Sequence, residues 1–368
     1  MFIAAHNGAR IWGGAERATV RLLAGLQQRG HRVLLLCNEP RVMAEAARAG
    51  VPARRLHLGG DVALVDAVRL ASTLRRDRPD AFVVGTYKKL FHAALGARLA
   101  GVPRVIARVG LETDTPRSAK YRVALRRWVD VVVVTADRMR QPFVDLYGEA
   151  GATVHVITNA VRPATIALDR ADARARLGIP DAAPLIGAVA RLDRQKRLDR
   201  LLRAVLRVGD DVHCVVAGEG AERGMLQRLA GELGIAGRVH LPGEMQDPSV
   251  VLAAIDVLAI SSDREGMSNV MLEALSAGVP VVSTPVSGAR DALEGEPDRA
   301  APGIVLDGFS DEELAAALAR VLRDPQLRAS MSTAARARAA ERFDFDRMLD
   351  RWEAILSSSA HPRLDAGE

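Results

Sequence analysis

The stretch "DVLAISSDREGMSNVMLEALSAGVPVVST", residues 256–284, contains a strand, a helix and a second strand in that order. The run "DVLAIS" is apolar, as is typical of a strand buried on both faces of a parallel sheet. Ser268 is a suitable helix N-cap, and Gly278 followed by Pro280 ends the helix. The stretch therefore predicts parallel strands joined by helices.

The same alternation continues along the chain. In the first half the strand-like runs are "FIAA", "RVLLLC", "DAFVVG", "RVIARV", "DVVVVTA" and "TVHVIT", and in the second half they are "LIGAVA", "VHCVVAG", "RVHLPG", "DVLAIS", "PVVST" and "GIVL". Between them, residues 159–184 lack a strand signal and are rich in proline, acids and arginine. The pattern predicts two doubly wound α/β domains in series.

We place the N-terminal domain at residues 1–158 and the C-terminal domain at 159–342. A helix over 343–357 is expected to pack back on the N-terminal domain, and residues 358–368 are expected to form a flexible tail. Ligands of open α/β sheets bind beyond the carboxyl ends of the strands. We therefore expect two Rossmann-like domains that face each other across a cleft lined by strand-end loops.

The composition is consistent with an anionic ligand. The 368 residues carry a net charge of +6, which attracts nucleotides, sugar phosphates, acidic lipids or nucleic acid. Cys37 and Cys214 lie in apolar runs and are interpreted as buried free thiols. We see no signal peptide and no apolar run near the roughly 18 residues that a spanning helix needs. A cytoplasmic location is therefore expected.

Two carboxylates flank the beginning of the helix in the opening stretch. Glu265 precedes the helix and Glu273 lies inside it. The backbone N–H groups and the dipole of a helix N-terminus suit a phosphate. In a nucleotide sugar, the diphosphate lies between the sugar and the ribose, so Glu265 would suit the sugar hydroxyls and Glu273 the ribose diol. The alternative is a solvated loop carboxylate and an ordinary helix carboxylate.

Two other strand-end loops suit the same ligand. Arg191 and Lys196 lie between a strand and a helix, where they would clamp a diphosphate, although solvated surface charges are the alternative. Gly13-Gly14 lets the backbone approach a ligand or adopt a positive φ, and the alternative is a plain turn. In "AGEGAER" Arg223 occupies the position of a third glycine, so NAD binding is not expected.

Together these elements resemble retaining glycosyltransferase family 4, which has the GT-B fold. The matching segments follow the family's order and cover nearly the whole chain: "GGAER" (13–17), "NAV" (159–161), "ARLDRQK" (190–196), "AGEGAERGML" (217–226), "VHLPGE" (239–244), "EGMSNVMLE" (265–273) and "SAGVPVVST" (276–284). The resemblance implies sugar transfer from a nucleotide-diphosphate sugar, first of all a UDP-sugar, with retention at the anomeric carbon. The implied acceptor is a cell-envelope glycan, a glycolipid or a small molecule.

The resemblance also implies a role for each matching residue. Arg191 and Lys196 would hold the leaving diphosphate and Glu265 would orient the sugar, so these three are the implied catalytic residues. Glu273 would hold the ribose hydroxyls. Neither a metal nor another cofactor is implied. The remaining implied donor contacts are Gly13, Gly14, Gly243, Glu244, Gly266, Met267, Ser268, Asn269 and Val270.

The acceptor side departs from the family pattern. Many members have His-Gly where this chain has Val109-Gly110. We expect the acceptor surface to be lined instead by Tyr87, Lys88, Lys89 and Arg108, which would favour an anionic acceptor such as a phosphate-linked lipid or an acidic glycan. His92 is interpreted as an ordinary surface histidine on the following helix.

The segment "RSAKYRVALRRWV", residues 117–129, is basic and amphipathic, with Tyr121, Leu125 and Trp128 on one face. This helix would suit an anionic membrane, and the alternative is an apolar face packed on the core. No nucleic-acid-binding motif accompanies the charge. Two other functions stay open: a GT-B epimerase, which needs acid and base groups, and a nucleotide-sugar-binding protein without turnover, which the missing His-Gly favours.

Overall fold

The computed structural model describes residues 1–8, 12–59, 64–111, 118–147, 153–163, 168–245, 247–296 and 298–358. The chain divides into two compact units. Unit 1 contains Met1–Thr158 and the chain from Asp346 onward, and unit 2 contains Asn159–Phe345. Most of the predicted tail at 358–368 and parts of the predicted linker and loop segments lie outside the described residues.

Unit 1 contains a parallel sheet with the strand order β3-β2-β1-β4-β5-β6-β7. Its strands are β1 (Phe2–Asn7), β2 (Arg32–Cys37), β3 (Ala53–Arg55), β4 (Ala81–Val84), β5 (Arg104–Val109), β6 (Val131–Val134) and β7 (Thr153–Val156). The central strands are buried along their length, as the unbroken apolar runs predict. The edge strand β3, with the sequence Ala-Arg-Arg, was not predicted, because it lacks an apolar run.

The helices of unit 1 are α1 (Gly14–Gln28), α2 (Pro40–Arg48), α3 (Leu64–Asp77), α4 (Leu90–Leu99), α5 (Ala119–Arg127), α6 (Arg140–Tyr147) and the C-terminal helix α15 (Phe345–Ser357). Charged contacts join α15 to the end of α1. Arg29 lies 2.6 Å from the Asp350 carboxylate and 2.7 Å from that of Glu353, and His31 Nε2 lies 2.8 Å from Glu353 Oε1. Trp352 of α15 is 2% exposed.

Unit 2 contains a parallel sheet with the strand order β10-β9-β8-β11-β12-β13. Its strands are β8 (Leu185–Val189), β9 (His213–Ala217), β10 (Val239–Gly243), β11 (Val257–Ile260), β12 (Val281–Ser283) and β13 (Gly303–Val305). Its helices are α7 (Arg170–Leu177), α8 (Leu198–Val208), α9 (Arg223–Glu232), α10 (Ser249–Ala254), α11 (Asn269–Ala277), α12 (Ser287–Leu293), α13 (Asp311–Arg323) and α14 (Pro325–Arg342). Two parallel α/β units are confirmed.

The opening stretch folds as its residues predict. It forms β11, α11 and β12, and Gly278 ends α11 in the left-handed conformation with φ 75°. A glycine adopts this conformation without the steric cost that a Cβ atom would bring. The helix therefore ends where the chain must turn into β12.

Both cysteines are buried and free. Burial raises the pKa of the Cys37 thiol to about 11 and that of Cys214 to about 12. Because the reactive species is the thiolate, both side chains behave as small apolar core groups near neutral pH.

A buried arginine holds α7, the first helix of unit 2, to the residue that precedes β11. Arg174 on α7 is fully buried and contacts Asp256 at 3.1 Å, and it also donates to the Ala254 carbonyl at 3.0 Å and the Ala183 carbonyl at 2.8 Å. The second oxygen of Asp256 is contacted by Arg170 at 2.8 Å, whose side chain is 49% exposed. One carboxylate thus has one buried and one solvated arginine partner.

We expect Arg174→Met to lower the free energy of unfolding by about 3–5 kcal/mol, because the Asp256 carboxylate loses its buried cationic partner and the carbonyls of Ala254 and Ala183 lose their donor. Arg170→Met removes the exposed partner of the same carboxylate and should cost about 0–1 kcal/mol. Urea denaturation followed by circular dichroism measures both. Equal losses of unfolding free energy in the two variants would contradict the conclusion that the buried arginine contributes more than the exposed one.

Candidate functional site

The loop after β8 is held close to the loop after β9 by glycines. A Cβ atom at Gly218 would lie 1.8 Å from the Ala190 carbonyl oxygen, and one at Gly220 would lie 2.3 Å from that of Leu192. The Leu192 N–H donates to the Glu219 carbonyl at 2.9 Å. The glycines of the "AGEG" run therefore let the backbone carrying Arg191 pack directly on its neighbour.

The two predicted diphosphate ligands already contact carboxylates. The Arg191 guanidinium lies 3.1 Å from Asp193, and its side chain is 40% exposed. The Lys196 Nζ atom lies 3.1 Å from Glu265 Oε1, and both side chains are largely buried. The structure thus brings Lys196 and Glu265 into direct contact, although they lie on loops that follow different strands, β8 and β11.

Hydrogen bonds to both the side chain and the main-chain carbonyl of Glu265 fix its loop. The Ser262 hydroxyl donates to Glu265 Oε1 at 2.6 Å, and the Ser287 N–H donates to the Glu265 carbonyl at 3.2 Å. A Cβ atom at Gly288 would lie 2.6 Å from the Gly266 carbonyl oxygen, so α12 begins against this loop. Ser262 was not predicted as a site residue, although it lies only three positions before Glu265.

Helix α11 begins beside this carboxylate. Ser268 is the N-cap residue, as predicted, but its hydroxyl makes no capping hydrogen bond. The side-chain amide of Asn159, a residue of the "NAV" segment, donates to the Met267 carbonyl at 2.8 Å. Met267 and Ser268 are buried, whereas Asn269 and Val270 are partly exposed. Since the first N–H groups of a helix lack intrahelical acceptors, this end of α11 suits an anion.

Glu273 is partly buried on the second turn of α11. Gly243 lies at the end of β10 with φ 88°, and its carbonyl accepts from the Gly218 N–H at 2.7 Å. Glu244 follows and is exposed. All the predicted donor residues of unit 2 therefore lie at or after the ends of strands of one parallel sheet, or on α11. Within the described ranges, no three His, Cys, Asp or Glu side chains form a metal-binding group.

In unit 1, the predicted glycine loop leads into α1. Gly13 is the N-cap of α1, and Gly14 is its first residue. The φ of Gly13 is −158°, which is extended backbone that any residue adopts, so the positive φ, one of the two roles considered for this glycine, is not found. Residues 9–11 of the same loop lie outside the described residues.

The predicted acceptor side chains have different environments. Tyr87 is only 5% exposed and its ring stacks on Tyr121 at 4.8 Å, so the structure places it in the core rather than on a surface. Lys88 is exposed. Arg108 is partly buried with Nη1 3.5 Å from the Thr19 hydroxyl, and burial lowers its pKa to about 10 against the opposing effect of Glu16. It therefore remains a cation at neutral pH.

The interpretation of His92 as a surface residue was wrong. His92 is 0% exposed and is one of the buried residues of α4. His6, which was not predicted to be a notable residue, is 1% exposed on β1. Burial, followed by the nearby His92 and Lys89, lowers the pKa of His6 to about 3. His6 is therefore a neutral core residue near neutral pH.

The apolar face of helix α5 packs on the core, which was the alternative to membrane binding. Tyr121, Ala124 and Leu125 are buried in the core of unit 1, and Trp128 packs against Phe91 with ring centroids 5.0 Å apart. The apolar face is thus unavailable to a membrane. Its exposed basic residues are Arg122, Arg126 and Arg127. Among the helices that the structure describes, none is long and apolar enough to cross a membrane.

Comparison with known families identifies two matching models. Residues 12–165 match Glycosyltransferase Family 4, and residues 169–338 match the family Glycosyl transferases group 1. A similar protein is a GDP-mannose-dependent alpha-(1-6)-phosphatidylinositol monomannoside mannosyltransferase of Mycolicibacterium smegmatis. The two sequences are 31% identical over 289 residues, which is 73% of this chain and 73% of that protein. It is 28% identical to the lipopolysaccharide core biosynthesis glycosyltransferase LpsE of Rhizobium meliloti, over 94% of this chain and 96% of that protein.

Among solved structures, Anabaena Alr3699/HepE in complex with UDP-glucose superposes with a TM-score of 0.84, at 22% identity over 97% of this chain and 99% of that one. The two parallel α/β units and this similarity define the GT-B fold. The chain belongs to the glycosyltransferases of the GT-B type, with a Family 4 N-terminal part and a group 1 C-terminal part.

The buried histidine of β1 generates a pH prediction. An unfolded chain protonates His6 near pH 6.5, whereas folded His6 stays neutral down to about pH 3. The unfolded state therefore binds more protons below pH 6.5, and stability falls as the pH falls through this window. Between pH 7 and pH 5, the wild type should lose about 2 kcal/mol more than His6→Gln.

Urea denaturation at the two pH values measures this difference. The exposed His57 provides the matched control, and His57→Gln should keep the wild-type pH dependence. A His6→Gln variant with the same pH dependence as the wild type would refute the prediction.

Proposed function

We propose that this glycosyltransferase transfers the sugar of a nucleotide-diphosphate sugar to an acceptor hydroxyl, with retention at the anomeric carbon and without a metal. The observation that carries the proposal is the contact of Lys196 with Glu265, at 3.1 Å beside the start of α11. The Lys196 cation, the Glu265 carboxylate and the N-terminus of α11 thus lie together at the carboxyl edge of one sheet. Together they provide partners for a diphosphate and for sugar hydroxyls.

Donor binding would exchange the partners of both cations. In the structure, Arg191 contacts Asp193 and Lys196 contacts Glu265. A diphosphate carries more charge than one carboxylate, so it would draw both cations onto its oxygens. Glu265 would then be available to accept hydrogen bonds from the sugar. The Ser262 hydroxyl, 2.6 Å from the same carboxylate, would keep it in place during the exchange.

The proposed reaction takes place on one face of the sugar. The bond from the anomeric carbon to the diphosphate oxygen breaks, and the bond to the acceptor oxygen forms on the same side. The acceptor proton passes to the departing phosphate oxygen. Because negative charge grows on the diphosphate, Arg191, Lys196 and the N-terminus of α11 stabilise the transition state more than the bound donor. Glu265 orients the sugar, and Glu273 holds the ribose.

For the donor we propose a UDP-sugar, because the similar HepE structures contain UDP, UDP-glucose, or UDP with glucose. Relatives described as GDP-mannose-dependent make GDP the alternative base. For the acceptor we propose a cell-envelope glycan or glycolipid with anionic groups. The lipopolysaccharide core and phosphatidylinositol mannoside relatives support this class, as do the cationic side chains of Lys88 and Arg108.

Calorimetry with UDP, GDP, ADP, CMP and dTDP, with and without EDTA, tests the donor site. We expect one diphosphate, UDP, to bind selectively and equally well in EDTA. Loss of binding in EDTA would contradict the metal-free proposal, and failure of all five nucleotides to bind would contradict the donor site itself. Binding without sugar transfer or hydrolysis of UDP-glucose would favour a binding protein without turnover.

Glu273→Ala should weaken UDP binding by about 1–3 kcal/mol, because a charged acceptor of the ribose hydroxyls is lost. Glu232, the last residue of α9, is exposed and is not among the predicted donor contacts, so Glu232→Ala should bind UDP like the wild type. Calorimetry of the three proteins measures the difference. Unchanged affinity in Glu273→Ala would remove Glu273 from the ribose site.

Lys196→Ala should reduce kcat by a larger factor than it reduces donor affinity, because phosphate charge increases in the transition state. Arg194 in the same loop is the control, since its side chain is 93% exposed. Steady-state kinetics of Lys196→Ala and Arg194→Ala, combined with donor calorimetry, separate the two effects. Equal losses in kcat and donor affinity for Lys196→Ala would argue against a role in the transition state.

A further inference from the structure

The loops that carry Lys196 and Glu265 are joined by the residues on either side of them. The Asp263 N–H donates to the Gln195 carbonyl at 3.0 Å, and Gln195 Nε2 donates to the Arg264 carbonyl at 2.8 Å. The Ser261 hydroxyl donates to the Lys196 carbonyl at 2.8 Å. The two loops therefore form one hydrogen-bonded unit.

Three charged side chains form an ionic centre in this unit. The Asp263 carboxylate lies 3.2 Å from Arg197 and 2.9 Å from Arg200. The Arg200 side chain is 7% exposed and also donates to the Ser261 carbonyl at 2.6 Å. We call Arg197, Arg200 and Asp263 the loop clamp. None of the three is among the residues expected to contact the donor.

The backbone of Arg197 is strained. Its φ of 47° and ψ of 46° are left-handed, a conformation that an arginine adopts at an energetic cost. Arg197 stands between Lys196 and α8, so this conformation sets the direction in which the chain leaves the cationic loop. Its guanidinium is bound by Asp199 at 3.1 Å as well as by Asp263, and these hydrogen bonds raise its pKa.

We propose that Arg197, Arg200 and Asp263 are positioning residues of the donor site, which hold Lys196 and Glu265 at contact distance. The inference rests on the proposed function. It explains why a strained arginine is held at this position: its ion pairs to Asp263 join one catalytic loop to the other. A donor would then meet a cation and a carboxylate that are already in place, without a cost for ordering the loops.

The variant Arg197→Gly tests the role of the Arg197 side chain separately from the stability of the fold. Glycine adopts a positive φ without strain, so the backbone is preserved while the guanidinium is lost. The sequence contains four lysines, Lys88, Lys89, Lys120 and Lys196. In protein labelled with ¹³C-lysine, the Lys196 side-chain signal is therefore resolvable, and its disappearance in Lys196→Arg assigns it.

We expect the Lys196 signal in Arg197→Gly to move toward its position in Glu265→Gln, where the ion pair is removed directly. Asp263→Asn should produce the same displacement. Arg78 also has a left-handed backbone, with φ 50°, but lies in unit 1. Arg78→Gly is thus the matched control and should leave the Lys196 signal at its wild-type position. A wild-type Lys196 signal in Arg197→Gly overturns the proposal, whatever happens to stability.

Calorimetry with UDP and GDP on the same proteins separates the two proposals. We expect Arg197→Gly to bind UDP about tenfold more weakly than the wild type, within the range for residues coupled in one ion-pair network. If the wild type binds neither nucleotide while the Lys196 signal still moves in Arg197→Gly, the proposed function fails but the clamp controls the Lys196–Glu265 contact. If the wild type binds UDP and Arg197→Gly has both wild-type affinity and a wild-type signal, the clamp fails alone.

Discussion

The contact between the Lys196 ammonium and the Glu265 carboxylate is the interaction on which the site depends. The two groups lie 3.1 Å apart and are largely shielded from water. Removing charges from water is costly, so such a pair persists only when the surrounding structure holds it in good geometry. The Ser262 hydroxyl and the hydrogen bonds between the two loops provide this support. In the proposed function, the donor diphosphate replaces Glu265 as the partner of the Lys196 ammonium.

Close backbone packing makes that contact possible. Loops after neighbouring parallel strands meet at the carboxyl edge of the sheet, but side chains normally keep them apart. At Gly218, Gly220 and Gly288 even a methyl group would overlap a neighbouring carbonyl oxygen or backbone atom. The glycines bring the loops after β8, β9 and β11 within hydrogen-bonding distance of their neighbours. Their physical role is therefore close approach, and a cofactor fingerprint is not needed to explain them.

The residues around the end of β4, which were expected to line an acceptor surface, are where inference from sequence is weakest. Tyr87, Lys88 and His92 are close together in the chain, yet Tyr87 and His92 are buried and Lys88 is exposed. Their environments depend on the turn that connects β4 to α4 and on how α4 and α5 pack. The neighbouring sequence does not indicate whether a polar side chain near a strand end points into the core or into solvent. The same argument applies to α5, whose apolar face is covered by the core and not by a membrane.

The sequence by itself determined the two parallel α/β units, the order of most strands along the chain, the end of α11 at Gly278 and the donor residues as candidates. These features follow from local signals: unbroken apolar runs, capping residues, and charged groups immediately after strands. Only the tertiary structure decided that Lys196 contacts Glu265, that Arg197 is left-handed and tied to Asp263, and that His6, Tyr87 and His92 are buried. Those outcomes depend on contacts between residues far apart in the chain, and such contacts arise only when the sheet brings its strand ends together.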